Sequence, residues 1–159
     1  MNRNTLEVRY GVDWFRDAPD GPLRPLSAPS LQIDGESMLD RFTLDLRELV
    51  ASTRRNGEFW LFTCGCGTPG CAGINSAVEV LHLPTEILWR VPYPTRQSSG
   101  DDPVHREYLF ERHAYFAIID AALAQVKEMA DRFHGDVDLG PYGFEVEELR
   151  ALAVERLWD

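Results

Sequence analysis

No run of apolar residues in this chain approaches the roughly 18 that a bilayer-crossing helix needs, although 44% of the 159 residues are apolar. The N-terminus, Met-Asn-Arg-Asn-Thr-Leu-Glu-Val-Arg, lacks the apolar core of an export signal. These two absences predict a cytoplasmic protein with no membrane partner. Cysteine is scarce: three residues, an odd number. Without an export signal, that count favours thiols or metal ligands over a disulfide framework. Lysine is scarcer still, since Lys127 alone accompanies the arginines among 16 basic residues. No mechanism follows from that bias. There is no internal repeat or low-complexity tract. No phosphate-cradling loop is present either: Gly65-Cys-Gly-Thr-Pro-Gly lacks the Lys-Ser/Thr of a P-loop and precedes no predicted helix.

Positive charge is also short. The chain carries 16 basic against 26 acidic residues, a net of −10. Residues 1–100 hold 12 acids and 10 bases, and residues 101–159 hold 14 acids and 6 bases. The C-terminal part is therefore at −8, a field that repels phosphate backbones. Nucleic acid is excluded as an expected ligand, and a basic protein partner is admitted. The same acidity also serves plain solubility.

What is present suffices for one domain over residues 1–159 with a real core. Leu6, Val8 and Tyr10 alternate with Glu7 and Arg9, the pattern of a half-buried strand, and Gly11 marks a bulge or bend. From Asp17 to Pro29, four prolines and an Asp-Gly step predict a long loop without regular structure. Ser30 to Gly35 reads as a short strand and a turn. Leu39, Phe42, Leu46, Leu49 and Val50 share one helical face, capped by Asp40 or Thr43 and ended by Asn56-Gly57. Two strands, Phe59–Thr63 and Ala77–Leu83, flank the cysteines, and Glu86–Val91 is a third. Trp14, Trp60 and Trp89 lie in strand runs, as core or edge packing. Thr95 to Pro103 is a polar linker.

Val104 to His134 carries the longest helical signal. Tyr108, Arg112, Tyr115, Ile119, Ala122, Val126, Met129 and Phe133 form its stripe, and Gly135 stops it. A last helix, Glu145 to Leu157, turns Val146, Leu149, Leu152 (or Ala153) and Leu157 inward. The order predicts an α+β fold: an antiparallel β-meander with helices packed on one face and a long amphipathic helix in the C-terminal part.

The candidate site is Trp60-Leu-Phe-Thr-Cys-Gly-Cys-Gly-Thr-Pro-Gly-Cys-Ala-Gly-Ile74. Cys64, Cys66 and Cys71 form C-x-C-x4-C in a loop whose glycines let sulfurs converge. Zinc takes four such ligands in a tetrahedron. His82 is the tempting fourth, but a hairpin pairing Phe59–Cys64 with Ser76–Leu83 puts it roughly 20 Å away. His105, His113, an acid, a second chain or water are the alternatives. Three reduced thiols packing a tight turn is the plainer reading. A reactive thiol is another, with Cys71 as nucleophile and His82, His105 or His113 as base. No C-x-x-C redox motif and no cysteine-hydrolase signature supports it. A Cys66–Cys71 or Cys64–Cys71 disulfide is sterically allowed, though oxidation is not expected in a reducing compartment. His82, on the Val78/Val80 face, reads as a hydrogen-bonded core or edge residue. His113 and Asp120 read as a solvated helix face, and Glu145, Glu147 and Glu148 as helix-dipole partners.

The Trp60–Ile74 segment, followed by Val-Glu-Val-Leu-His and Ile-Leu-Trp-Arg, resembles a family of small bacterial cytoplasmic proteins with no assigned activity. The resemblance covers the central part of the chain, implies a bacterial origin, and brings no functional residues. The leading expectation is a non-catalytic protein-binding module, immunity- or antidote-like against a basic partner. A zinc site at Cys64, Cys66 and Cys71 is the second reading and a thiol-dependent enzyme the third.

Overall fold

The computed structural model describes residues 1–93, 106–140 and 144–154. The linker expected over Thr95–Pro103, together with His105 and Leu157, lies outside them. Antiparallel sheets and helices share one hydrophobic core, the α+β architecture that the element order predicts. No helix among the described residues is long and apolar enough to cross a membrane.

The first two strands, β1 (Leu6–Phe15) and β2 (Arg24–Ile33), pair antiparallel over ten residues each. Gly11 sits in register opposite Ala28, so the expected bulge is absent. The loop expected from Asp17 to Pro29 is also corrected, because β2 begins at Arg24 and contains Pro25 and Pro29. The backbone orientation explains the tolerance. Ser27 N donates to Asp138 O, and Leu31 O accepts from Met38 N, so odd-numbered positions of β2 point away from β1. Both prolines therefore lack an N–H only on the outer side, where no ladder bond to β1 is lost. Asp34 and Gly35, both at positive φ, turn the chain into β3 (Glu36–Ser37), a two-residue hairpin of the Asp-Gly kind.

The helix expected from Leu39 is cut to α1 (Leu46–Ala51). Its cap is Asp45, whose carboxylate accepts from Arg47 N and Glu48 N, and not Asp40 or Thr43. Before it, β4 (Thr43–Leu44) is a strand. The Cys-flanking strand is likewise divided, into β5 (Gly57–Phe59) and β6 (Phe62–Thr63). A straight strand buries alternate residues, yet Phe59, Leu61, Phe62 and Thr63 are all buried while Trp60 is 41% exposed. The chain must bend at Trp60–Leu61 to achieve this. Trp60 N donates to the Glu48 carboxylate and Leu61 O accepts from Asp45 N, which fixes the bend.

The four-stranded sheet runs β5, β7 (Val78–His82), β8 (Glu86–Val91), β9 (Arg106–Glu111), every pair antiparallel. β6 leaves it and pairs with β4 instead. The largest correction is β9, because the helix expected from Val104 begins only at Arg112. In Arg-Glu-Tyr-Leu-Phe-Glu, Tyr108 and Phe110 alternate inward and face Trp89 and Ile87 across β8. The same Tyr108 also satisfies a four-residue helical spacing to Arg112, so the two periods overlap there.

The helix α2 (Arg112–Arg132) buries Tyr115, Ile119, Ala122, Val126 and Met129, as its stripe requires. Glu111 caps its start, accepting from His113 N and Ala114 N. At its end His134 is left-handed, His134 N donates to Asp131 O, and Gly135 N reaches back to Ala130 O. That is a Schellman stop with histidine at the left-handed position and Gly135 after it. The last helix, α3 (Val146–Ala151), places Leu149 in the core. At the centre Trp89, Tyr115, Phe59, Phe62 and Phe110 are fully buried.

Candidate functional site

The cysteine loop leaves β6 at Thr63, which is buried, and returns at Ile74, also buried. Between these anchors the backbone curls on itself. Gly67 N donates to Cys64 O, and a single 3-10 turn, Pro69–Ala72, carries Cys71. Gly67 and Gly73 hold φ near +80°, a region that side chains with a Cβ rarely adopt. The curl brings one sulfur from each of Cys64, Cys66 and Cys71 within 4.8 Å of the others. All three residues are at least partly exposed.

Cys64 and Cys66 are joined as a disulfide, and Cys71 is free and exposed. Both disulfides considered from the sequence involved Cys71. The pair formed instead spans a single glycine, and Gly65 has open space around it. The hairpin geometry is also corrected: the β5–β7 ladder closes at Phe59 and Val78, and the loop stands on the small β4–β6 sheet.

The histidine partners do not join the sulfurs. Among the described residues, no His, Asp or Glu forms a three-donor group with the cysteines. His82 Nε2 lies 2.8 Å from Ser52 O. A carbonyl only accepts, so Nε2 carries the proton and Nδ1 holds a lone pair. That Nδ1 is buried without a hydrogen-bond partner. Burial, and beyond it the neighbouring Arg112 charge, hold the imidazole below its usual pKa, against the opposing pull of the Ser52 carbonyl. His82 is thus the hydrogen-bonded edge residue expected. His113 is exposed on the first turn of α2. His105 lies outside the described residues.

A cavity of about 350 Å³ adjoins the loop, walled by Asp45, Glu48, Trp60, Thr63, Pro69 and Ile74 among others. Its described lining holds two carboxylates and no Arg, Lys or His.

A second cavity, of about 590 Å³, gathers Arg54, Arg55, Asn56, His82 and Arg112. The sequence reading missed it. Its one signal in the sequence is Arg112, a charged residue within an apolar helical stripe, which is 9% exposed.

Together, fold and site define a small α+β protein with a three-cysteine loop set on a two-stranded sheet. No family model, curated protein or solved structure matches the chain.

Proposed function

We propose that the Cys64/Cys66/Cys71 loop is a metal site that takes zinc once its disulfide is reduced. The observation supporting this is the convergence of three sulfurs within 4.8 Å. Thiolates around zinc at about 2.3 Å stand about 3.8 Å apart in a tetrahedron, so small rotations suffice. Reduction needs a dithiol of the thioredoxin kind, which fits the cytoplasmic setting expected from the sequence. Two electrons and two protons pass to Cys64 and Cys66, and the reductant leaves as its own disulfide. The three thiols then give up their protons as the metal binds. Water or an incoming ligand fills the fourth position.

The test is a metal titration of fully reduced protein against a competing chelator, with cobalt as a spectroscopic stand-in. Stoichiometric binding with a sulfur-to-cobalt charge-transfer band is expected, lost in each of Cys64→Ser, Cys66→Ser and Cys71→Ser. Binding that survives all three substitutions, or none in the reduced protein, would refute the reading.

A second reading is a non-catalytic module that docks a basic protein, in the immunity or antidote manner. The net charge of −10 supports it, as does the exposure of Trp14 at 50% and Trp60 at 41%, since exposed tryptophans are common interface anchors. It predicts a stoichiometric partner released by salt and weakened by Trp60→Ala. A partner indifferent to both changes would count against it.

A further inference from the structure

We infer that the cysteine loop is a thiol–disulfide exchange centre, in which Cys71 attacks Cys66 Sγ and the disulfide moves onto the two exposed sulfurs for transfer to a dithiol. Three sulfurs share one disulfide here: Cys64 and Cys66 are bonded and Cys71 is free. Exchange needs an attacking sulfur that can reach a disulfide sulfur. Cys71 Sγ lies within 4.8 Å of both others. Holding the reactants that close within one loop replaces a bimolecular encounter.

The backbone selects which sulfur leaves. Cys66 N donates to Cys64 Sγ at 3.4 Å. A hydrogen bond to a thiolate favours the charged form, and a thiol that ionises more readily leaves faster. Attack at Cys66 Sγ, which expels Cys64, is therefore favoured over attack at Cys64 Sγ, which expels Cys66. This step consumes no oxidant. Cys71 gives its proton to water and its sulfur bonds to Cys66 Sγ. The Cys64–Cys66 bond breaks, and Cys64 keeps the electron pair and takes up a proton. The product is the Cys66–Cys71 disulfide, one of the two pairings that the sequence allows.

Exposure selects the substrate class. Cys66 and Cys71 are exposed, whereas Cys64 is half-buried. The move therefore brings both bonded sulfurs to the surface. A thiolate from outside attacks Cys71 Sγ and expels Cys66, leaving a mixed disulfide on Cys71. Cys66 still stands beside that bond and expels a monothiol again. A dithiol escapes this return, because its own second thiolate attacks the mixed disulfide from equally close range and frees Cys71. Two electrons and two protons then pass to the loop, and the substrate leaves as its own disulfide. No metal takes part, so the exchange stands or falls separately from zinc binding.

The test uses the unaltered full chain, oxidised to one free thiol per molecule, with a chelator present throughout. A maleimide is added slowly at about pH 8, where ordinary thiols are partly ionised. The protein is then quenched in acid, reduced and blocked with a second reagent, and fragment mass spectra locate the first label. Label is expected on both Cys71 and Cys64, with Cys66 spared. Label confined to Cys71, or label on Cys66, would overturn the exchange. Transfer is read by stopped-flow reduction with dithiothreitol and with glutathione. Cys71→Ser is expected to slow reduction by dithiothreitol several-fold, with circular dichroism confirming that the variant is folded. An unchanged rate in that variant would overturn the transfer step. So would glutathione reducing the native chain as fast as dithiothreitol at equal thiol concentration.

Discussion

His82 shows how one side chain's environment sets its chemistry. Ser52 O fixes its tautomer, and burial with the nearby Arg112 charge lowers its pKa below the ordinary 6.5. The unfolded chain therefore takes up the proton first as pH falls. The stability contributed by the neutral ring is full above 6.5 and is lost as pH drops through the lower folded value. Urea unfolding of the native protein should show stability declining just below pH 6.5, and His82→Gln should flatten that decline. An identical slope in the variant would mean that other groups carry it. The lowered pKa values of Glu86 and Glu111 cannot supply that slope, because those carboxyls titrate below their usual 4.5. The cysteine triad was legible at this scale, since its spacing and glycines announce a converging loop. The role of His82 was legible only as an edge residue, because its carbonyl partner lies 30 positions away.

Three elements meet at one phenol. Tyr115, on α2, accepts from Trp89 Nε1 on β8 at 3.0 Å and lies 2.7 Å from Ser52 Oγ, the residue that ends α1. Indole only donates, and Ser52 donates onward to Leu49 O. The tyrosine hydrogen must therefore point at Ser52. Tyr115→Phe keeps the packing but leaves the buried indole N–H without an acceptor. It should lower unfolding stability by about 1–3 kcal/mol, read by denaturant midpoint at an unchanged slope. A loss near zero would show that the network contributes nothing net.

The elements were unevenly legible in the sequence. β8, α2 from Tyr115 onward and the Asp34-Gly35 turn follow from period and turn chemistry. The Arg24–Pro29 part of β2 did not, because prolines argue against a strand unless its exposed edge is known, and that edge is a tertiary fact. β9 did not, because Tyr108 serves both the strand and the helix period. The bend at Trp60 did not either, since it depends on Glu48 and Asp45 reaching across from α1.

At the scale of the whole molecule, the two cavities differ in charge and in wall. The cavity beside the sulfur loop has Asp45 and Glu48 in its wall, while the arginine-lined cavity lies at the His82 end of β7. If the loop binds metal, occupancy and folding are linked. Zinc at a hundredfold excess over its dissociation constant should stabilise the reduced fold by about 2.7 kcal/mol, and the oxidised fold far less. Thermal melts of the two redox forms with and without zinc read this directly. The overall α+β class was legible from element order, whereas the transfer of β6 to a separate sheet with β4 was not.

Pro25 and Pro29 also bear on how the molecule behaves in a crowd. An open strand edge invites a stranger to add a strand of its own, and each such bond needs a hydrogen to offer. On the side of β2 away from β1, two of those hydrogens do not exist, the Asp138 backbone occupies the stretch between Pro25 and Ser27, and β3 covers the far end. The residues that argued against a strand here thus blunt the β1–β2 hairpin as a seed for aggregation.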